Sequence, residues 1–108
     1  MNLLFVCSKN QWRSPTAELI FKNHPFYITR SAGTSAKARI KINEKLLIWA
    51  DIIFVMERKH HEILFKNYTE LLPYKKVITL NIPDEYIFAD EELIEILKSQ
   101  LSQYLNII

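Results

Sequence analysis

The sequence predicts an α/β fold, a four-stranded parallel sheet with helices on both faces. Two observations carry that expectation. Apolar runs of strand length alternate along the chain with stretches of helical pattern, which is the order of a parallel sheet. The first run, Asn2 to Val6, ends at the only cysteine, Cys7, and the helix-start pair Ser14-Pro15 follows shortly after. A buried parallel strand in that position delivers Cys7 to the carboxyl edge of the sheet, where open α/β folds place their ligands.

Each element follows from local pattern. Ser14 is a good N-cap and Pro15 suits the first helical position, so a helix is expected from about Ser14 to Asn23, where His24-Pro25 breaks it. Phe26 to Thr29 reads as the second strand. Gly33, the sole glycine, marks a backbone position that needs either positive φ or close approach to another segment. Asn43 caps a short helix from Glu44 to Trp49, and Asp51 to Met56 is the third strand. Arg58 to Asn67 is expected to be helical, with Leu71, Leu72 and Pro73 in the following turn, and Val77 to Leu80 is the fourth strand. The last helix, Asp90 to Tyr104, carries Leu93, Leu97, Leu101, Tyr104 and Leu105 on one stripe.

The chain of 108 residues, 49% of them hydrophobic, fits one domain spanning residues 1–108. A single cysteine forms no internal disulfide, and the N-terminal apolar run is too short for a secretory signal. No apolar stretch reaches membrane-spanning length, so the expectation is a cytoplasmic protein with no membrane partner, in a compartment that keeps a thiol reduced. The formal net charge of +2 does not by itself indicate a nucleic-acid partner.

The chemistry concentrates after the first strand. Between Cys7 and the helix, residues Ser8, Lys9, Asn10, Gln11, Trp12 and Arg13 must curl into a tight loop over the positive end of the helix dipole. Backbone N–H groups turned inward there make a nest for a tetrahedral dianion. A thiol in that field, beside a guanidinium, favours the thiolate and becomes a nucleophile. Arg13 offers a planar fork for two phosphoryl oxygens. The loop has no glycine, and Asn10 is the residue best suited to a left-handed backbone in its place.

Val6-Cys7, Asn10 and Arg13-Ser14-Pro15-Thr16-Ala17-Glu18 together resemble the active-site signature of the low-molecular-weight protein tyrosine phosphatases. The segments Ser31-Ala32-Gly33-Thr34 and Asp51 to Glu57 are also similar to the family, with Glu57 where an aspartate is more usual. The resemblance implies that Ser31 supports the loop by hydrogen bonding Asn10. Ser14, by its place at the helix start, is expected either to donate to the Cys7 sulfur or to serve as the N-cap alone. Asp84 matches the family's general acid, Glu85 stands where a proline is usual and is a second candidate, and Tyr86 falls at the aromatic position. The chain departs from the family between Ser35 and Ala50, where a longer stretch that shapes the substrate pocket is shortened.

The activity implied is hydrolysis of a phosphomonoester through a phosphocysteine, with Cys7, Arg13 and Asp84 as catalytic residues and no metal or other cofactor. The implied partner is a phosphorylated substrate, foremost a phosphotyrosine protein, with Trp12, Glu85 and Tyr86 flanking its ring. Two alternatives remain: a phosphatase for a small-molecule, nucleotide or RNA phosphoester, and a catalytically weak phosphate-binding interaction module. Lys37, Arg39 and Lys41 form either a solvated basic loop or a rim that attracts polyanions. His24, His60 and His61 are expected at the surface, without metal-ligand spacing.

Overall fold

The computed structural model describes residues 1–106. The chain runs β1 (Asn2–Cys7), α1 (Arg13–Ile20), β2 (Ile28–Gly33), α2 (Glu44–Trp49), β3 (Ile52–Val55), α3 (Arg58–Asn67), β4 (Lys76–Thr79) and α4 (Glu91–Leu101), with a 3₁₀ turn at Leu72–Tyr74. The four strands form one parallel sheet in the order β2-β1-β3-β4. No described helix is long and apolar enough to cross a membrane.

Alternation along β1 sorts the core into two layers. Leu3, Phe5 and Cys7 face α1 and α4, where they meet Ala17, Phe21, Leu93, Leu97 and Leu101. Leu4 and Val6 face α2 and α3, where Leu47 and Leu64 cover them. β3 repeats the pattern, with Ile52 and Phe54 on the first side and Ile53 and Val55 on the second. Buried on both faces, the two central strands read as continuous apolar runs.

The second strand lies later than its apolar run suggests. Pairing with the whole of β1, from Asn2 opposite Ile28 to Cys7 opposite Gly33, sets its limits. Phe26 lies beyond the end of β1 and is exposed. α1 closes early because Phe21 and Lys22 turn tightly onto Glu18 and Leu19 and Asn23 adopts φ 64°. Asn43 and Asp90 cap α2 and α4 through their side chains, accepting the N–H groups of Leu46 and Leu93.

Candidate active site

Cys7 closes β1, Glu57 follows β3 and Asp84 follows β4, so the parallel register brings all three to one sheet edge. There Cys7, Ser8, Lys9, Gln11, Trp12, Arg13 and Asp84 line a pocket of about 100 Å³. Along the loop from Ser8 to Arg13, no backbone N–H donates to an acceptor among the described residues. Asn10 takes the left-handed turn, with φ 57°.

The loop is held from behind. Thr34 and Ser35 donate their N–H groups to the carbonyls of Cys7 and Ser8, and Arg39 donates its own to Lys9. The Arg39 guanidinium adds a hydrogen bond from Nε to the Asn10 carbonyl at 3.1 Å. Thus one member of the basic segment braces the loop rather than standing free in solvent. Gly33 lies where the loop turns: a Cβ there would sit 2.4 Å from the Ser8 carbonyl oxygen and 3.0 Å from the Asn10 nitrogen. Close approach, not positive φ, is what this position demands.

Ser14 does not cap α1. The helix starts one residue earlier, at Arg13, and the Ser14 side chain is buried against the thiol instead, with Oγ 2.9 Å from Cys7 Sγ. Asn10 Nδ2 donates to Ser14 Oγ at 2.8 Å. That leaves the hydroxyl proton for Sγ, or for the more distant Ala32 carbonyl at 3.4 Å. Pro15 is accommodated in the first helical turn, where its missing N–H has no intrahelical partner to lose.

Arg13 is 2% exposed, and its guanidinium is fixed on one side. NH1 donates to Glu57 Oε2 at 2.5 Å and to the Ile82 carbonyl at 2.8 Å, while Nε stands 3.7 Å from Asp84 Oδ1. Burial works against a charge on Glu57, but the hydrogen bond and charge of Arg13, with Lys59 and His60, hold its carboxyl below the ordinary value. Asp84 is half exposed at the pocket rim. Its loop is anchored to α1 through Thr16, whose Oγ1 accepts the Ala89 N–H at 2.9 Å and donates to the Trp12 carbonyl at 2.6 Å.

Several expected placements are corrected. Ser31 does not reach Asn10. Its hydroxyl donates to Glu18 Oε1 at 2.6 Å, because this carboxylate lies across from β2 on α1 and is the stronger acceptor. Asn10 Oδ1 is left without a partner among the described residues. Glu85 and Tyr86 do not line the pocket: Glu85 is exposed, and Tyr86 packs against the apolar layer of α1 and α4. Of the expected flanking residues only Trp12, 43% exposed, stands at the rim.

His60 is not at the surface but fully buried. Its Nδ1 accepts the Glu57 N–H at 3.0 Å and its Nε2 meets Ser8 Oγ at 2.8 Å. Burial, and then the nearby Arg13 charge, push its pKa down to about 4. Sequence reasoning missed His60 and Glu57 as parts of the site. The available signal was spacing, since His60 stands four residues before Leu64 and so on the inward face of α3.

Beside the pocket an open groove of about 760 Å³ runs between α1 and β2, with Pro15, Leu19, Ile28 and Phe88 among its lining. Gln11 borders both.

Among solved structures, the fold matches a low molecular weight protein tyrosine phosphatase from Streptococcus pyogenes at a TM-score of 0.76 and 18% identity, over 97% of this chain and 93% of that one. A protein tyrosine phosphatase from Entamoeba histolytica matches at 0.72 and 26% identity, over 93% and 91% of the two chains. The YwlE arginine phosphatase from Geobacillus stearothermophilus matches at 0.68 and 18% identity, over 97% of each. No protein-family model and no curated protein matches the sequence.

Proposed function

We propose that this chain, which has the fold of the low-molecular-weight protein tyrosine phosphatases over nearly its whole length, is a cysteine-dependent phosphomonoester hydrolase. The observation that carries the reading is the cradle itself. Cys7 Sγ lies at a loop whose N–H groups have no acceptor among the described residues, with Arg13 fixed beside it and the Ser14 hydroxyl on the sulfur.

The Cys7 thiolate attacks phosphorus in line, forming the S–P bond as the P–O bond to the leaving group breaks. Loop N–H groups and the Arg13 guanidinium receive the equatorial oxygens, so charge shifting during transfer meets donors already in place. Asp84 gives its proton to the departing oxygen. As a carboxylate it then takes a proton from the water that attacks phosphocysteine. The S–P bond breaks, and Ser14 stabilises the returning thiolate while inorganic phosphate leaves. Glu57 holds Arg13 square to the pocket throughout.

The substrate is a phosphoprotein, and phosphotyrosine its first candidate. Trp12 stands at the pocket rim to pack on an aryl ring, and the groove that meets the pocket at Gln11 has room for flanking chain. The YwlE likeness makes a phosphoarginine peptide the comparison substrate.

Steady-state hydrolysis of p-nitrophenyl phosphate in the presence of chelator tests the reaction, and matched phosphotyrosine and phosphoarginine peptides test the substrate. Cys7→Ser should abolish turnover, and Asp84→Asn should lower kcat by about 10²-fold or more. Absence of turnover in wild type with vanadate still bound would turn the reading to a phosphate-binding module. A higher kcat/KM on phosphoarginine would move the substrate assignment.

A further inference from the structure

His60 sits beneath the phosphate loop with both ring nitrogens engaged, and the identity of one partner fixes the role of the other. The Glu57 backbone N–H can only donate, so Nδ1, 3.0 Å away, must be the unprotonated nitrogen. A neutral imidazole then carries its proton on Nε2, which is 2.8 Å from Ser8 Oγ. The Ser8 oxygen therefore accepts from His60. Its own hydrogen has no acceptor among the described residues, and Ser8 lines the pocket above Cys7.

We propose that His60 is a positioning residue that turns the Ser8 hydroxyl into an obligatory donor to the phosphoryl group held over Cys7. This rests on the reading of that pocket as a phosphate site. A free serine hydroxyl rotates between donating and accepting, and part of its worth to a dianion is lost in fixing it. Here the choice is made before substrate arrives. The ring stays neutral because it is buried and because Arg13 on α1 and Lys59 on α3 oppose a further positive charge, outweighing Glu57 and Asp84. Protonation at Nδ1 would set two donors against each other across the Glu57 N–H. The same residue thus ties the turn bearing Glu57, the partner of Arg13, to the loop bearing Ser8. Ser14 beside the sulfur is arranged alike: it accepts from Asn10, which leaves its proton for Cys7 or for the more distant Ala32 carbonyl.

The test has two parts. Nitrogen-15 NMR of the wild-type imidazole near neutral pH should show His60 as the Nε2–H tautomer; the Nδ1–H form, or an imidazolium, overturns the proposal. A double-mutant cycle then measures kcat, KM and inhibition by inorganic phosphate for Ser8→Ala, His60→Phe and the pair. Ser8→Ala should weaken phosphate inhibition and kcat/KM about tenfold, and Ser8→Thr, which keeps the hydroxyl, should recover most of the loss. In the Ser8→Ala background, His60→Phe should cost clearly less than it does in wild type. Multiplying losses would make His60 merely structural. Should His60→Phe not fold, the tautomer and the Ala and Thr variants at Ser8 still decide. Normal turnover with Ser8→Ala indistinguishable from wild type defeats this inference alone; wild type with neither turnover nor bound vanadate defeats the phosphate site as well.

Discussion

Gly33 and Ala89 show how single backbone positions hold the site in place. A methyl group at Gly33 would meet the Ser8 carbonyl and the Asn10 nitrogen, and these are backbone atoms that cannot swing aside. Gly33→Ala should therefore push the loop off the thiol, lowering kcat/KM by about 10²-fold. Stability should fall by about 1–3 kcal/mol, checked by urea unfolding beside the kinetics. Ala89 has φ 61°, a left-handed conformation that disfavours any residue with a Cβ, and its N–H ties the acid loop to Thr16. Ala89→Gly should raise stability by about 1 kcal/mol and the melting temperature by several degrees, with turnover retained. A lower melting temperature would show that the strain is not there to relieve. At this scale the sequence was legible where residue type and conformation agree. Asn10 declares a left-handed turn and Gly33 a special position, but alanine gives no sign of positive φ. Ser31 misled because its analogy pointed to Asn10, while the carboxylate of Glu18, thirteen residues away in sequence, is the stronger partner.

Among the elements, α3 differs most from its sequence-level description. Its placement from Arg58 to Asn67 follows from pattern, but its abundance of charge disguised His60 as a surface residue. The helical period separates the adjacent pair: His60 points inward with Leu64, and His61 lies partly exposed, stacked on Phe65. Burial of a neutral histidine has a pH signature. His60 titrates at about 4 in the folded chain against 6.5 for an ordinary histidine, so the unfolded state binds the extra proton in that interval. Stability is complete well above pH 6.5 and should fall as the pH drops toward 4, by about 3 kcal/mol from this residue. Glu57, whose folded value is depressed below 4.5, adds its loss only under that pH, so the interval from 6.5 to 4.5 isolates the histidine. Chemical denaturation across that range should show the slope in wild type and a flatter profile in His60→Phe. An equal slope in both would assign the acid sensitivity to other groups. The strands, by contrast, were legible as apolar runs. The misplacement of β2 arose because strand limits are set by the partner's length, which no local window contains.

At the scale of the whole molecule, the site is the place where otherwise separate parts of the sheet edge are joined. Cys7 and Ser8 belong to the end of β1, Arg13 and Ser14 to α1, Glu57 and His60 to the entry of α3, and Asp84 to the loop before α4. The two apolar layers fix these elements through their buried faces, but at the edge the loop N–H groups have no acceptor among the described residues. The segments carrying Cys7, Arg13 and Asp84 could be read from the sequence because strand, loop and helix start are contiguous or lie in recognisable motifs. The braces could not, since Arg13 to Glu57 and Ser8 to His60 span 44 and 52 residues and depend on the order in which strands pair. An oxyanion bound in the nest should supply the missing acceptors and couple these segments, stabilising the entire fold by mass action. Vanadate at about 100 times its Kd should add about 2.7 kcal/mol, which for a chain of this size raises the melting temperature by roughly 10–20 °C. Gly33→Ala, with the nest displaced, should lose most of that shift at the same vanadate concentration. A wild-type melting temperature indifferent to saturating vanadate would mean that the loop N–H groups do not receive an anion. An equal shift in Gly33→Ala would mean that the anion is held elsewhere on the surface.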